Sequence, residues 1–183
     1  MSNFIFTETE IRGAYIIDVK HYQDARGFFM ETYQEQEFQS AGIDYRFVQD
    51  CQSFSHRGVL RGLHFQKKYP QAKLVRVLRG EVFDVAVDLR ADSPTYAQWV
   101  GLLLSAENRR QFLIPKGFAH GFLVLSEEAE FAYKCDAFYH PEDEGGIRWD
   151  DPTLAIRWPA AGQMILSEKD QALPLLEKGK ILL

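Results

Sequence analysis

Two histidines in this sequence stand inside apolar segments and could serve as bases. His64 lies in VLRGLHFQ (59–66), and His120 lies in IPKGFAHGF (114–122). An imidazole gains and loses protons near neutral pH, although a lone strand histidine can equally be a hydrogen-bonded structural residue. In a regular strand Arg61 and His64 need not share a face unless Gly62 introduces a bulge. The residue types permit acid–base chemistry, and periodicity alone leaves both interpretations open.

The run from Pro115 to His120 also raises the possibility of a metal site. Its P-x-G-x-x-H pattern resembles the second motif of the cupin superfamily, in which this histidine often binds metal. A cupin metal site also needs an H-x-H pair in the earlier motif, where this chain has His64-Phe65-Gln66. A metal would be left with His64, His120 and a carboxylate, which is feasible for an open catalytic site. A metal-dependent cupin enzyme therefore stays an alternative, and no metal ligand is assigned.

Positive side chains are scattered among the apolar segments of an acidic protein. The 183 residues contain 21 Lys and Arg against 26 Asp and Glu, a net charge of −5 and a pI near 5.6. This balance argues against general nucleic-acid binding, so an anionic ligand must be met by a local cluster of cations. Arg26 and Arg61 each precede a glycine, and a guanidinium suits phosphate oxygens.

The termini, cysteines and hydropathy together predict a cytoplasmic protein. The first residues carry Glu8 and Glu10 where a signal peptide would be basic and apolar. No apolar run approaches the length of a membrane span, so we expect no membrane association. Cys51 and Cys135 cannot form a disulfide framework, and no C-x-x-C pair indicates a zinc or redox site.

The elements that must position these residues are short strands. β-Branched and aromatic runs separated by turn residues predict strands at 14–19, 45–51, 73–78, 81–89, 98–104, 111–115, 121–125 and 130–135. A helix is predicted within 31–42, ending at Gly42, and a helical turn within 167–176 that begins at Ser167. Many strands and little helix favour an all-β sandwich or jelly roll, formed as one domain over residues 1–183.

Two local patterns give finer expectations. In EVFDVAVDL (81–89) the acids Asp84 and Asp88 alternate with apolar residues, which predicts a half-buried strand with the acids on one face. Arg79-Gly80, between two strand-like runs, predicts a tight hairpin turn.

Taken together, these motifs resemble the dTDP-4-dehydrorhamnose 3,5-epimerases, a family of sugar-nucleotide epimerases. The similarity covers nearly the whole chain in order and is carried by DARGFFME (24–31), VLRGLHFQ (59–66), KLV (73–75), EVFDVAVDLR (81–90), LSAEN (104–108), IPKGFAHGF (114–122), EFAYK (130–134), WP (158–159) and LSEKD (166–170). The resemblance implies a cupin-type jelly roll with a few short helices, acting as a homodimer. It also implies epimerisation, without any cofactor, at C3 and C5 of dTDP-4-dehydro-6-deoxy-D-glucose, a step of dTDP-L-rhamnose biosynthesis.

The resemblance further implies roles for individual residues. Four match the catalytic groups: His64 as proton acceptor, Asp170 as its orienting partner, Tyr133 as proton donor on the opposite face, and Lys73 as the enolate stabiliser. A larger set matches positions that hold the diphosphate, thymine or sugar of the dTDP-4-keto-6-deoxyhexose: Arg26, Glu31, Gln49, Asp50, Cys51, Arg61, Asp84, His120, Tyr139, Glu144 and Lys169. Arg26, Arg61, Lys73 and Lys169 are expected to gather into one pocket.

One position departs from the family pattern. The family usually has Q-D-N where this chain has Gln49-Asp50-Cys51, followed by Gln52. A thiol is a weaker donor than an amide, so a side-chain contact would change unless Gln52 compensates. A C3-only or C5-only epimerase of a related keto-deoxysugar nucleotide therefore remains an alternative. A non-catalytic sugar-nucleotide sensor that retained the pocket is a separate alternative.

Overall fold

The computed structural model describes residues 2–176, which form two facing antiparallel sheets and a separate hairpin. In chain order the strands are β1 (Phe4–Glu8), β2 (Tyr15–Val19), β3 (His21–Asp24), β4 (Gly27–Met30), β5 (Gln49–His56), β6 (Leu60–Gln66), β7 (Lys73–Arg79), β8 (Glu81–Asp88), β9 (Trp99–Ser105), β10 (Gln111–Ile114), β11 (Phe118–Val124), β12 (Glu128–Cys135) and β13 (Glu144–Gly146). The helices are α1 (Glu35–Ser40) and α2 (Glu168–Gln171), with a 3-10 turn at Pro141–Asp143.

The connectivity is that of a jelly roll, which confirms the predicted fold class. One sheet has the order β1-β2-β10-β7-β12-β5 and the other β13-β6-β11-β8-β9. From β5 to β12 the chain passes from one sheet to the other at every connection except the one between β8 and β9. Side chains from both inner faces, among them Val75, Val82 and Phe112, form the core between the sheets.

The predicted strands are all present, with shifted limits. β5 begins four residues later than expected and continues to His56, because its polar QDCQSFSH pattern lacks the aliphatic run used to place it. β11 begins at Phe118, so His120 lies within a strand. The short strands β1, β3, β4 and β13 were not predicted, and β3 and β4 pair only with each other in an exposed hairpin.

The expected hairpin at Arg79-Gly80 is wrong. β7 pairs with β10 and β12, whereas β8 pairs with β9 and β11 in the opposite sheet. Gly80, with φ of +76°, lies where the chain crosses between the sheets, and a Cβ there would lie 2.0 Å from the Glu128 carbonyl oxygen. A tight turn thus joins two sheets here, which local sequence does not distinguish from a hairpin.

The expectation of a half-buried β8 is also wrong, since both faces are covered. Val82 and Ala86, which share a face with Asp84 and Asp88, pack in the core between the sheets. The opposite face, with Val85 and Val87, packs against the C-terminal segment through residues such as Ile147 and Leu154. The two acids therefore point into the sandwich, where each has a basic partner.

Both helices are shorter than the segments predicted for them. Helix α1 begins after Gln34, whose side-chain oxygen accepts a hydrogen bond from the amide of Glu37, and Gly42 follows its end with φ of +81°. Ser167 is the N-cap of α2, as predicted, and accepts from the amide of Asp170. Within residues 2–176, no helix has the length and apolar character needed to cross a membrane. Cys51 and Cys135 are free thiols.

Candidate active site

A cavity of about 510 Å³ lies between the sheets and brings the four predicted catalytic residues together. His64 comes from β6 of one sheet, whereas Lys73 and Tyr133 come from β7 and β12 of the other. Asp170 of α2 closes one side. Groups from opposite sheets therefore face the same cavity.

His64 forms a dyad with Asp170. The His64 Nε2 and Asp170 Oδ1 atoms are 2.6 Å apart, and the carboxylate is almost fully buried. Burial alone would raise the Asp170 pKa, but hydrogen bonds from His64, the Gly62 amide and Ser167 outweigh it and lower that pKa. An ionised Asp170 accepts a hydrogen bond from the Nε2–H group, which leaves Nδ1 of a neutral His64 as a base.

His120 forms a second dyad with Asp84. Its Nε2 lies 2.9 Å from Asp84 Oδ2, and both side chains are buried. Burial lowers the His120 pKa more than the Asp84 carboxylate raises it, and the neighbouring Lys73 and His64 lower it further. His120 is therefore held neutral, and its ring stacks beside Phe131 with centroids 6.0 Å apart.

A bulge in β6 places Arg61 and His64 on the same cavity. Four residues of β6, from Arg61 to His64, oppose three residues of β11, from Phe122 to His120. Gly62 has φ of +116°, and a Cβ there would lie 2.6 Å from both the Gly121 Cα and the His120 carbonyl oxygen. Only glycine permits this approach. The register shift turns the side chains of Arg61 and His64 into the cavity, and it is the bulge that the sequence indicated they would need.

Lys73 and Tyr133 form the opposite wall. The Lys73 ammonium lies 5.9 Å from the centroid of the Tyr133 ring. Burial lowers the Lys73 pKa, partly countered by thiol and carboxyl groups that include Asp84 and Glu144. Burial, and then Cys51, raises the pKa of Tyr133, so the phenol keeps its proton.

Arg61 and Lys169 also line the cavity, next to a groove that contains Glu144. Glu144 accepts hydrogen bonds from Lys169 Nζ and from the Tyr139 hydroxyl, each at 2.5 Å. Burial would raise the Glu144 pKa, but these two bonds lower it. Tyr139 itself is half exposed, as expected for an aromatic residue outside the core.

Three of the predicted binding residues lie away from the cavity within this chain. Arg26 is at the tip of the β3–β4 hairpin, 90% exposed and paired with Asp24. Glu31 accepts from Asn3 next to that hairpin. Asp50 points to the outer face of its sheet, where it pairs with Lys134. Of the four cations expected in one pocket, Arg26 alone does not join the others.

Gln49 and Cys51 lie on β5 behind Tyr133 and do not line the cavity. The idea that Gln52 could compensate for Cys51 is wrong, because Gln52 alternates to the exposed face and donates to Glu130.

Sequence reasoning missed several residues that line the cavity. Ser53 follows Cys51 by two residues on β5 and was missed because the strand was predicted to end at 51. Apolar residues complete the wall: Val59, Leu60, Phe122, Phe131, Ile165 and Leu166. The alternation of Phe131 with Tyr133 on β12 was the available signal for Phe131.

The two histidines are bound to separate carboxylates. In the part of the chain that the structure describes, no three His, Cys, Asp or Glu side chains are placed to hold a metal ion together.

Comparisons with known proteins find similarity to one family of enzymes. The family model described as dTDP-4-dehydrorhamnose 3,5-epimerase matches residues 8–178. The enzyme of that name from Methanothermobacter thermautotrophicus is 58% identical over 173 residues, covering 93% of this chain and 94% of its own. The crystal structure of dTDP-6-deoxy-D-glucose-3,5-epimerase from Legionella pneumophila, in complex with dTDP-4-keto-L-rhamnose, is 57% identical with a TM-score of 0.92, covering 94% and 92% of the two chains.

A related solved structure has a different specificity. A 3'-monoepimerase from Streptomyces bikiniensis, in complex with dTDP-quinovose, is 34% identical with a TM-score of 0.86, covering 91% of this chain and 85% of its own. The chain has the cupin-type jelly roll of these structures. From the match over residues 8–178 and these identities, it belongs to the dTDP-4-dehydrorhamnose 3,5-epimerase family.

Proposed function

We propose that the protein epimerises C3 and C5 of dTDP-4-dehydro-6-deoxy-D-glucose to give dTDP-4-dehydro-L-rhamnose. The observation that carries this is the placement of a base, the His64–Asp170 dyad, and an acid, Tyr133, on opposite sheets across one cavity. Inversion at carbon needs a proton to leave one face of the ring and another to arrive on the other face.

His64 begins the reaction as a general base. The Nδ1 lone pair takes the proton from a carbon next to the C4 ketone, and the C–H electron pair forms the enolate with its charge on the C4 oxygen. The Asp170 carboxylate holds the ring in the required tautomer and stabilises the imidazolium that forms.

Lys73 stabilises the enolate. Its ammonium has lost much of its hydration through burial, so its attraction for a developing oxyanion is stronger than in water. The enolate charge in turn favours the protonated form of Lys73. Neutral His120 binds at the same end and accepts a hydrogen bond from the sugar through Nδ1, because Nε2 donates to Asp84.

Tyr133 completes the inversion. Its O–H bond breaks as the proton adds to the enolate carbon from the face opposite His64, and the electron pair stays on the phenolate until water returns a proton. Because its pKa is raised, Tyr133 carries the proton throughout the neutral range.

The nucleotide lies toward Arg61 and Lys169. These cations suit the two phosphates, while Tyr139 and Glu144 border the adjoining groove on the thymidine side. The acidic protein thus meets its anionic substrate through a local positive cluster.

Each protomer is a single domain, and the protein acts in the cytoplasm. A homodimer completes the site. The β3–β4 hairpin pairs with no other strand of the described chain and exposes Phe28 and Phe29 beside Arg26. We propose that this hairpin reaches the partner subunit, where Arg26 and Glu31 border the partner's nucleotide.

Incubation with the substrate in deuterated water tests this function. We expect deuterium at both C3 and C5 of an inverted product, detected by NMR and mass spectrometry. His64→Ala should abolish exchange, whereas Tyr133→Phe should reduce inversion more than exchange. Exchange at one carbon only would identify a monoepimerase, and no exchange at either carbon would refute epimerase activity.

A further inference from the structure

Two side chains of β5, the strand that pairs with the Tyr133 strand β12, are joined by a hydrogen bond. Cys51 is directly opposite Tyr133 in the β5–β12 register, so the two side chains are neighbours on one face of the sheet. The Cys51 side chain also raises the pKa of the Tyr133 phenol, as expected for a thiol that lies beside the hydroxyl. The catalytic acid is therefore in contact with a group that the catalytic chemistry does not itself require.

Gln49 holds the sulfur from the other side. Its Nε2 donates to Cys51 Sγ at 3.1 Å, and its Oε1 accepts from the Tyr139 amide at 3.0 Å. The Gln49 side chain thus connects the Tyr139 backbone, near the nucleotide groove, to the Cys51 thiol. This thiol in turn lies beside the Tyr133 phenol.

The position of Cys51 indicates an indirect role. It is half-buried and does not line the cavity, whereas Tyr133 does. The Lys73 ammonium lies 5.9 Å from the centroid of the Tyr133 ring, and a ring free to tilt would change the distance from its hydroxyl to the substrate carbon. A hydrogen bond from the phenol to the neighbouring thiol would restrict this movement.

We propose that Cys51, held by Gln49, is a positioning residue that fixes the Tyr133 phenol for proton donation to the sugar ring. This rests on the proposed epimerase function. In the resting site the phenol O–H donates to sulfur, and a thiol is a weak acceptor, so the phenol turns to the enolate carbon at little cost. After donation, the S–H bond can point to the phenolate oxygen until water reprotonates it.

Two substitutions at Cys51 distinguish a role in positioning Tyr133 from a general role in stabilising the fold. Cys51→Ala removes the hydrogen bond, and we expect kcat for inversion to fall by about tenfold. Deuterium exchange without inversion depends on His64 and should change by less than about twofold, since His64 can return a deuteron to the same face. Cys51→Ser keeps a hydrogen-bonding atom and should restore most of the inversion.

A neighbouring residue provides the matched control. Gln52→Ala changes the next side chain of β5, which faces outward and binds Glu130, and should leave both rates unchanged. Circular dichroism and thermal melting check that each variant is folded. An unchanged ratio of inversion to exchange in Cys51→Ala would overturn the proposal, as would an equal loss of both rates in the Ala and Ser variants. Absence of exchange in the unmodified protein would instead refute the epimerase function.

Discussion

The His64–Asp170 contact shows how much of the chemistry depends on one buried carboxylate. Asp170 accepts from both His64 Nε2 and the Gly62 amide, and it lies on a helix of only four residues that Ser167 caps. The LSEKD motif identified Asp170 from the sequence. Its distance of more than 100 residues from His64 meant that only the resemblance, and not local spacing, could pair them.

Replacing this carboxylate tests the dyad. In Asp170→Asn the amide can donate to Nε2, which favours the tautomer that carries the proton on Nδ1 and so lacks a base toward the sugar. We expect kcat to fall by about 100-fold or more while KM changes much less. Steady-state kinetics of product formation measures this. Asp150→Asn, an exposed carboxylate paired with Arg148, is the control, and similar losses in both variants would contradict the assignment.

Other residue assignments depended on contacts that a motif does not contain. Lys73, His120 and Arg61 were each named from a local pattern. They meet because β6 and β11 are neighbours in one sheet and β7 lies in the sheet that faces it. Arg26 and Asp50 come from equally recognisable segments but point away from the cavity in this chain. Matching a motif identifies a residue, whereas the fold and any partner decide which site it enters.

Among the elements, β6 has a demanding backbone, because its bulge at Gly62 passes close to β11. The sequence indicated that Gly62 had to introduce an irregularity if Arg61 and His64 were to share a face. It could not indicate which strand lay opposite. The hairpin expected at Gly80 failed for the same reason, since β7 and β8 pair with strands later in the chain and not with each other.

Two glycine substitutions measure what this approach costs. Gly62 and Gly162 both have positive φ, so an alanine at either position should cost about 1 kcal/mol of stability. A Cβ at Gly162 meets nothing within 4 Å, whereas one at Gly62 meets β11 backbone at 2.6 Å. Gly62→Ala should therefore cost about 1–3 kcal/mol more and reduce activity, because His120 must move.

Urea unfolding of the two variants and their kcat values supply the comparison. If Gly62→Ala were as stable as Gly162→Ala and fully active, β6 and β11 would be able to move apart without disturbing the two His–Asp dyads.

At the end of β8, the buried carboxylate of Asp88 stabilises the loop that follows the strand. Asp88 accepts from Arg90, Ser93 and Thr95, each within 2.8 Å. Burial would raise the Asp88 pKa, but these bonds outweigh it and lower the pKa to about 2, from an ordinary value of 3.8. The ionised form is therefore favoured by folding, so its contribution is complete above about pH 4 and is lost as the pH falls to about 2.

An Asp88→Asn variant isolates this contribution. We expect it to be less stable than the unmodified protein at neutral pH, with the difference shrinking by about 1–2 kcal/mol between pH 4 and pH 2, after allowance for solvent screening. Urea unfolding across that range measures both proteins. Two parallel stability curves would mean that the Asp88 cluster does not favour the ionised carboxylate.

At the scale of the whole molecule, net charge and site charge are separate properties. A net charge of −5 argues against polyanions as ligands, yet Arg61, Lys73 and Lys169 converge on one cavity. Composition could not reveal this, because the three residues come from β6, β7 and α2 and meet only in the folded chain. Arg26 remains on a hairpin that pairs with no other strand of residues 2–176.

Mixed dimers test whether Arg26 acts across the subunit boundary. Homodimers of Arg26→Ala or of His64→Ala should each be impaired, one in substrate binding and the other in proton abstraction. A heterodimer of the two variants contains one site with an intact His64 and, if the hairpin crosses over, an intact Arg26 from the partner. Heterodimers purified through two different affinity tags should then recover about half of the normal kcat, since one of two sites is complete. If Arg26 instead served its own subunit, neither site would be complete and the purified heterodimer would show no recovery above the two homodimers.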